Sequence, residues 1–218
     1  IRDLVRSRGL GDVYKRQLGW EAEVFRANSS VELRLLLGHA KDWDAVIVQM
    51  PVANGIDFNY SQIPISKDAD GLNPMSNITP ATVRGIIDYL DECGFNYEGK
   101  SAVILGRSDI VGKPMAKALL DRNMTVSVCH SKTDINTKLY LTRQADLIVS
   151  AVGKFSLTRE ACPNAIVIDV GIRRNEAGII LGDFVEIDEI AKRNNVWSTP
   201  VPGGVGLLTR LGLMKNCL

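Results

Sequence analysis

The sequence predicts an α/β protein built on a parallel β-sheet. Two mainly apolar runs, Ala102–Leu105 and Ala165–Asp169, lack polar alternation, which is typical of strands buried on both faces of a parallel sheet. A glycine turn and a helical run, Met115–Leu120, follow the first of them, as in βα units. The 218 residues suffice for one large or two small domains, and a hydrophobic content of 45% supports a packed core.

Charge and cysteine content argue against several classes of function. A net charge of +1 gives no reason to propose a nucleic acid or a membrane surface as a partner. No apolar run approaches the ~18 residues of a spanning helix, and no signal-peptide pattern is present. The 4 cysteines are widely spaced and the 2 histidines are few, so no metal site is predicted. Such cysteines are typical of reduced thiols in a cytosolic protein.

The stretch Gly99–Pro114 contains the most specific pattern. Gly106 would let the backbone approach a pyrophosphate, and Gly112 would let the following helix sit close to the strand. Pro114 suits a first helical turn, where its missing N–H costs nothing. Ser108 stands where the common G-x-G-x-x-G pattern has glycine, so the pattern alone leaves a nucleotide site and a structural turn both open.

The other elements are predicted from hydrophobic spacing and helix caps. Before the glycine stretch, Trp20–Arg26 alternates like a strand and Ala45–Val48 is predicted as a buried strand. Ser29, with Glu32 three residues later, has the capping-box spacing and predicts a helix to about Lys41. The remaining predictions are helices over Thr82–Cys93, Glu186–Arg193 and from Arg210 onward, strands over Thr125–Cys129 and Ala165–Asp169, and a strand with its glycine turn over Ala145–Gly153.

Three polar residues outside the glycine stretch are candidates for function. Gln49 follows a predicted buried strand, where open α/β sheets place ligands, although a strand-end cap explains it equally well. Asp70, before Gly71, by itself indicates only a turn. His130 has no partner in the sequence that would give it the role of a base, which favours a structural role.

A series of ordered motifs carries a family resemblance over about residues 18–218. They are VQMP at 48–51, KDADG at 67–71, ILGRSDIVGKPMAKALL at 104–120, CHSKT at 129–133, DVGI at 169–172 and TPVPGGVG at 199–206. The chain resembles the bifunctional methylenetetrahydrofolate dehydrogenase/methenyltetrahydrofolate cyclohydrolase family. The resemblance implies oxidation of 5,10-methylenetetrahydrofolate with NADP, followed by hydrolysis to 10-formyltetrahydrofolate, a one-carbon donor in purine biosynthesis.

The resemblance also implies the domain organisation. It predicts an NADP-binding, Rossmann-like doubly wound domain over residues 83–199 and a smaller α/β folate-binding domain over residues 18–82. The C-terminal helix, residues 200–218, is expected to complete the folate-binding domain. The active site is expected in the cleft between the domains. The family typically forms homodimers, and a homodimer in the cytoplasm is expected here.

The resemblance assigns cofactor contacts to Thr82, Gly106, Arg107, Ser108, Ser131 and Ile172, the last on the nicotinamide side. Small hydroxyls and a cation after the second strand suit the 2′-phosphate of NADP, whereas an NAD site favours a ribose-binding Asp or Glu. Arg107 adds a bidentate phosphate donor. Asp134 lies close by and weakens this argument slightly, but NADP remains the predicted cofactor.

Substrate contacts are assigned to Gln49, Asp70, Pro202, Gly203 and Gly204. The family's glutamine touches folate and the catalytic lysine, and its second aspartate binds the pterin ring, so Gln49 and Asp70 are the predicted catalytic residues. A carboxylate suits a pterin edge because that edge offers paired N–H donors. The segment 72–79 lacks the family's G-x-L-x-x-G, which predicts an altered rim of the substrate site. Ala81 and Val83 replace a Cys and a Pro of the next motif.

The family's catalytic Tyr-x-x-x-Lys motif has no counterpart at the expected distance. Counting back from Gly19-Trp20 reaches Gly11 for the lysine and Ser7 for the tyrosine, and Lys15 is out of register. The segment SRGLGDVYKRQ at 7–17 matches the translation of a common transposase-based sequencing adaptor. We therefore expect residues 1–17 to be foreign to the native protein, rather than a basic N-terminal helix. The chain as written is predicted to be a poor cyclohydrolase, and its full-length parent an active one.

Two other functions stay open from the sequence. One is an NADP-dependent oxidoreductase domain with an unrelated substrate, against which Gln49, Asp70 and the TPVPGGVG segment argue. The other is a catalytically silent nucleotide-binding protein, which the missing lysine would favour if residues 1–17 were genuine.

Overall fold

The chain divides into two compact units. The computed structural model describes residues 20–21, 23–153, 165–184 and 197–218. One unit comprises the residues up to Ile78 together with Cys217, and the other comprises Thr79–Asn216 together with Leu218. The predicted helix Glu186–Arg193 lies outside the described residues. So do Ser7, Gly11 and Lys15, the positions considered for the Tyr-x-x-x-Lys motif. Within the described ranges, no helix is long and apolar enough to cross a membrane.

A four-stranded parallel sheet forms the second unit. Its strands are β1 (Ser101–Leu105), β2 (Thr125–Cys129), β3 (Leu147–Ser150) and β4 (Ile166–Asp169), arranged in the order β2-β1-β3-β4. Helix α3 (Gly112–Leu120) connects β1 to β2, and α4 (Ile135–Arg143) connects β2 to β3. The chain thus moves outward from β1 and then returns to its other side, as in doubly wound folds. The predicted α/β class with a parallel sheet is confirmed.

The core of this unit follows from the apolar runs that predicted the strands. Ile104, Leu147 and Ile168 are fully buried, and Met115 and Leu119 of α3 pack against the same cluster. Each such side chain contributes roughly 1.5–3 kcal/mol relative to remaining exposed. Strands β1, β3 and β4 therefore need no polar alternation, because both of their faces are buried, whereas the edge strand β2 is partly exposed.

Helices α2 (Ala81–Glu92) and α5 (Val205–Asn216) pack closely against each other in the same unit. A Cβ on Gly85 would overlap the carbonyl of Leu208, and one on Gly212 would overlap that of Ala81, so both glycines are needed for this approach. The helix predicted from Arg210 begins earlier, at Val205. Packing of its buried face outweighs the helix penalty of about 1 kcal/mol at Gly206.

The antiparallel pair β5 (Arg173–Arg174) and β6 (Ile180–Leu181) follows β4 and returns the chain to the same end of the sheet. Residues 182–184 come directly after β6. The domain boundaries remain a prediction. Contacts group α5 with the second unit, whereas the resemblance gave residues 200–218 to the folate-binding domain.

The first unit contains helix α1 (Ser30–Gly38) and short 3-10 turns at Ala40–Asp42, Tyr60–Gln62 and Ile65–Lys67. The predicted cap is present, since the Ser29 hydroxyl accepts the Glu32 N–H at 3.2 Å. The Glu32 carboxylate returns to Asn28 N–H rather than to Ser29. The helix ends three residues before Lys41, where the chain tightens into the first 3-10 turn.

The prediction of two regular strands in the first unit, over Trp20–Arg26 and Ala45–Val48, is wrong. The described residues of Trp20–Arg26 are not part of a β-strand. Ala45–Val48 makes one parallel bridge, between Val46 and Asp68. Val46 and Val48 are buried as predicted. Pairing stops there because the segment beside them is the 3-10 turn Ile65–Lys67, which cannot extend a ladder.

Candidate functional site

The carboxyl ends of the four parallel strands lie along one edge of the sheet. The segments that leave this edge are Gly106–Val111, His130–Thr133, Ala151–Gly153 and Val170–Ile172. Gly106, Arg107, Ser108, Ser131 and Ile172, all predicted cofactor contacts, are therefore placed at one edge. In open α/β sheets this edge binds ligands, at the point where the strand order reverses. Here that point lies between β1 and β3.

The glycine turn after β1 is built for close backbone approach. Gly106 has φ +116°, a conformation that residues with a Cβ rarely adopt, and a Cβ there would lie 2.8 Å from the Ala151 carbonyl oxygen. Its N–H donates to the Cys129 carbonyl at 2.8 Å. A Cβ on Gly112 would overlap the Gly106 carbonyl, which explains why the first turn of α3 can lie on the glycine turn.

Ser108 organises the start of α3. Its hydroxyl accepts the N–H groups of Val111 at 3.2 Å and Gly112 at 3.4 Å. The Ser108 O–H proton remains available to an anion at this helix N-terminus, where the dipole favours negative charge. The neighbouring Arg107 is exposed. Lys113 is engaged with Asp109 at 2.6 Å.

Local hydrogen bonds stabilise the turn after β2. His130 N–H donates to the Thr133 hydroxyl at 2.9 Å, and Lys132 N–H donates to His130 Nδ1 at 3.2 Å. This arrangement agrees with a structural role for His130. Ser131 and Lys132 are exposed. Asp134 caps α4 by accepting the Thr137 N–H at 2.8 Å, and this backbone hydrogen bond lowers the pKa of its carboxyl group.

At the carboxyl ends of β3 and β4 lies a buried polar cluster that the sequence did not predict. Asp169 and Asp183 are 2% and 0% exposed, and Ser150 and Thr199 are buried beside them. Burial raises the pKa of Asp169, and the charge of Asp183 adds to that effect, while hydrogen bonds from backbone N–H groups act in the opposite direction. The motifs DVGI and GD at 182–183 contain both aspartates, but nothing in their spacing indicates that the two meet.

Thr82 and the TPVPGGVG segment complete the predicted residues of this unit. The Thr82 hydroxyl accepts a hydrogen bond from the Thr209 hydroxyl at 3.1 Å, which ties α2 to α5. Pro202 and Gly203 are exposed, and Gly203 has φ +101°. A Cβ on Gly204 would overlap the Pro200 carbonyl, so the loop turns tightly before α5 begins.

The two remaining predicted residues, Gln49 and Asp70, belong to the first unit. Gln49 is exposed, and its Nε2 donates to the adjacent Met50 carbonyl at 3.1 Å. Asp70 is partly buried, and burial together with the charge of Asp68 raises its pKa to about 6. Asp68 is fully buried, and its Oδ2 accepts the Asn73 N–H at 2.6 Å. The described residues contain no cluster of three or more His, Cys, Asp or Glu that could hold a metal ion.

Fold and site together define a dinucleotide-binding α/β protein. Residues 80–218 match the family described as tetrahydrofolate dehydrogenase/cyclohydrolase, NAD(P)-binding domain. The bifunctional protein FolD of Lactobacillus gasseri is 44% identical over 202 residues, which cover 84% of this chain and 70% of that protein. FolD of Campylobacter jejuni is 42% identical over 203 residues, covering 87% and 71%. The chain therefore belongs to the tetrahydrofolate dehydrogenase/cyclohydrolase family, as its motifs indicated.

Solved structures agree with this membership. The Campylobacter jejuni FolD methylenetetrahydrofolate dehydrogenase/cyclohydrolase superposes with a TM-score of 0.79 at 39% identity, covering 87% of this chain and 72% of that one. The Trypanosoma brucei FolD, complexed with NADP cofactor and an inhibitor, gives a TM-score of 0.83 at 29% identity, covering 95% and 78%.

Proposed function

We propose that this protein acts in one-carbon folate metabolism as a bifunctional enzyme. It oxidises 5,10-methylenetetrahydrofolate to 5,10-methenyltetrahydrofolate with NADP. The family's second reaction, hydrolysis to 10-formyltetrahydrofolate, is expected to be weak with this sequence, which lacks the family's Tyr-x-x-x-Lys motif at the expected distance. The observation that carries this proposal is the sheet edge where Gly106 and Gly112 pack the glycine turn onto the start of α3 and the exposed Ser108 caps that helix, in a chain of this family. Family membership disfavours the two alternatives, an unrelated substrate and a silent nucleotide-binding protein.

NADP fits the residues that surround this edge. Gly106 and Gly112 let the glycine turn pack closely against Ala151 and the first turn of α3. Arg107, Ser131 and Lys132 are exposed donors for phosphate groups. Asp134, the acidic residue that weakened the case for NADP, caps α4 through its Oδ2, which gives it a structural role. The Trypanosoma relative holds the same cofactor. When bound, NADP supplies the hydride acceptor for the oxidation.

The chain's own residues bind and orient the folate. Asp70 is mostly ionised at pH 7 with a pKa of about 6, so its two oxygens can accept the paired N–H donors of a pterin edge. Among the described residues, no N–H or O–H group donates a hydrogen bond to the Asp70 carboxylate. Gln49 would donate to the folate by exchanging its local bond to Met50, and Pro202–Gly204 would offer a flat, open backbone surface. Thr82 and Ile172 would complete the cofactor side.

The proposal includes the finer expectations that accompany the family. The folate-binding domain comprises residues 18–82 and the C-terminal helix, and the NADP-binding domain comprises residues 83–199, with the reaction in the cleft between them. The enzyme acts as a cytoplasmic homodimer, and its product serves purine biosynthesis. General acid–base catalysis by a positioned side chain contributes typically 10²–10⁴-fold. Without the family's lysine and tyrosine, this sequence would lose that contribution to the hydrolysis.

The test is a pair of assays on the purified chain. We expect formation of NADPH from 5,10-methylenetetrahydrofolate, a lower rate with NAD, and hydrolysis of methenyltetrahydrofolate close to the rate in buffer alone. Arg107→Ala should raise KM for NADP, and Lys113→Ala, whose amine is engaged with Asp109, is the matched control. Absence of both NADPH formation and NADP binding by calorimetry would refute the dehydrogenase assignment. Hydrolysis at the rate of Campylobacter jejuni FolD would refute the prediction of a weak cyclohydrolase.

A further inference from the structure

Asp183 joins the ends of two strands at the cofactor edge. Its Oδ2 accepts hydrogen bonds from the Ser150 hydroxyl at 2.7 Å and from Val152 N–H at 2.9 Å, at the end of β3 and just beyond it. Its own N–H donates to Asp169 Oδ1, the last residue of β4, at 3.1 Å. One residue that lies outside the sheet, after β6, therefore fixes where β3 and β4 end.

Asp169 extends this connection to the residue before Ile172. Its Oδ1 also accepts the Gly171 N–H at 2.9 Å, and its Oδ2 accepts the Phe184 N–H at 3.0 Å. A Cβ on Gly171 would overlap the Asp183 carboxylate, so the peptide that leads into Ile172 lies directly against Asp183. A Cβ on Gly182 would overlap the Asp169 carboxylate in the same way. The fit leaves neither carboxylate room to move.

The same cluster supports the glycine turn after β1. A Cβ on Gly106 would lie 2.8 Å from the carbonyl oxygen of Ala151. Ala151 lies between Ser150 and Val152, the two residues that donate to Asp183. The backbone on which Gly106 rests is thus held by Asp183. Three strand ends at the edge therefore meet at Asp183. Its carboxylate binds the end of β3, its backbone N–H binds Asp169 of β4, and the Ala151 backbone that it holds packs against Gly106 after β1.

The arrangement is not the one that stability alone would favour. Asp183 Oδ1 is buried and accepts no hydrogen bond from the part of the chain that the structure describes. An unmatched buried oxygen costs on the order of 1–3 kcal/mol. The two buried carboxylates also repel each other when both are ionised. A cluster that keeps these costs beside a ligand edge is better explained by the geometry it imposes than by its contribution to folding.

We propose that Asp183 is a positioning residue for the cofactor site. It holds Ala151–Gly153 and Gly171–Ile172 in register with the glycine turn, so that these segments meet the nicotinamide half of NADP together. The inference rests on the dehydrogenase function proposed above. Asp183 touches neither cofactor nor substrate in this role. Its effect reaches the cofactor through backbone positions, where small displacements have large consequences.

The test compares three variants by calorimetric titration with NADP and by steady-state kinetics. Asp183→Ala removes the oxygen that accepts both hydrogen bonds, from Ser150 and Val152. It should raise Kd and KM for NADP about tenfold or more, with KM for the folate nearly unchanged. Asp183→Asn keeps an oxygen for Ser150 and Val152 and should restore Kd to within about threefold of the unmodified chain. Ser150→Ala, which loses one donor, should fall between them and provides the measurement if Asp183→Ala does not fold.

Asp146 supplies the matched control at the opposite edge of the same sheet. Its Oδ2 accepts the Ser101 N–H at 2.9 Å at the amino end of β1. Asp146→Ala should lower the stability but leave Kd for NADP unchanged. Equal Kd values for Asp183→Ala, or for Ser150→Ala in its place, and the unmodified chain would overturn the inference alone. Failure of the unmodified chain to bind NADP would overturn the proposed function and this inference with it.

Discussion

The two units each contain a pair of aspartates in buried surroundings, and the pairs use their carboxylates differently. In the second unit, Asp169 accepts three backbone N–H groups and Asp183 accepts one N–H and one hydroxyl. In the first unit, Asp68 accepts the Asn73 N–H and thereby closes the turn that carries Asp70. Asp70 itself is partly exposed, and no donor among the described residues reaches it.

The difference teaches how a binding carboxylate is distinguished from a structural one. A carboxylate whose oxygens already accept backbone N–H groups cannot accept a ligand without losing those bonds. A carboxylate that is half-buried, held near a second charge and unpaired has unused acceptor capacity and a raised pKa, which is typical of functional sites. This criterion supports the proposed role of Asp70 in folate binding, whereas the hydrogen bonds of Asp169 and Asp183 give those two residues a structural role.

The strongest test of this distinction replaces Asp70 by asparagine. Asp70→Asn removes the charge and turns one acceptor into a donor that faces the pterin N–H groups. Hydrogen bonds to a charged group contribute about 1.5–3 kcal/mol each, so kcat/KM for the folate should fall about 10²-fold or more. KM for NADP should stay unchanged, and steady-state kinetics with each substrate varied in turn will measure both. A loss confined to NADP would contradict the assignment of Asp70 to the folate.

Replacing one aspartate of each pair by asparagine should change the free energy of unfolding in opposite directions. Asp169→Asn would place an amide donor against backbone N–H donors, and we expect the free energy of unfolding to fall by about 2–4 kcal/mol. Asp70→Asn should raise it by about 1–3 kcal/mol at pH 7, because a carboxyl with a raised pKa destabilises the fold when ionised. Urea unfolding of both variants measures the contrast. Equal losses of stability would mean that Asp70 is as structural as Asp169.

The pH dependence sharpens the comparison further. The pKa of Asp70 in the fold, about 6, lies above that of an unfolded aspartate, so stability due to this group increases as pH falls through 6. Binding of folate has the opposite sign, because the ionised form accepts the pterin N–H groups. KM for the folate should rise about tenfold per pH unit below 6. Asp68 and Cys217 are the titratable groups beside Asp70, and burial followed by the Asp70 charge raises the pKa of the Cys217 thiol. A KM that is constant between about pH 5 and about pH 8 would contradict this.

Local signals account for what the sequence predicted, and long-range pairing accounts for what it did not. Strands β1 to β4 and the cap at Ser29 follow from apolar runs and one short spacing, which nearby residues decide. Ala45–Val48 has the same apolar signal, but its neighbour is a turn rather than a strand, and only the folded chain determines that. The contacts of Asp183 with Ser150 and Val152 span 33 and 31 residues, so no local pattern contains them. Motif resemblance found Asp70 and Gly106, since these belong to contiguous segments.

The smallest effect is expected from a change at Asp68, the other aspartate of the first unit's pair. Asp68→Asn keeps an oxygen for the Asn73 N–H and removes only the charge that acts on Asp70. Because burial is the larger cause of the raised pKa, the midpoint of the KM–pH profile should move below 6 by less than about one unit. Folate KM at pH 7 should change less than about twofold, since Asp70 is already ionised there. A midpoint that stays at 6 would show that burial alone sets it. A large loss of folate binding at pH 7 would instead make Asp68 the ligand and reverse the roles within the pair.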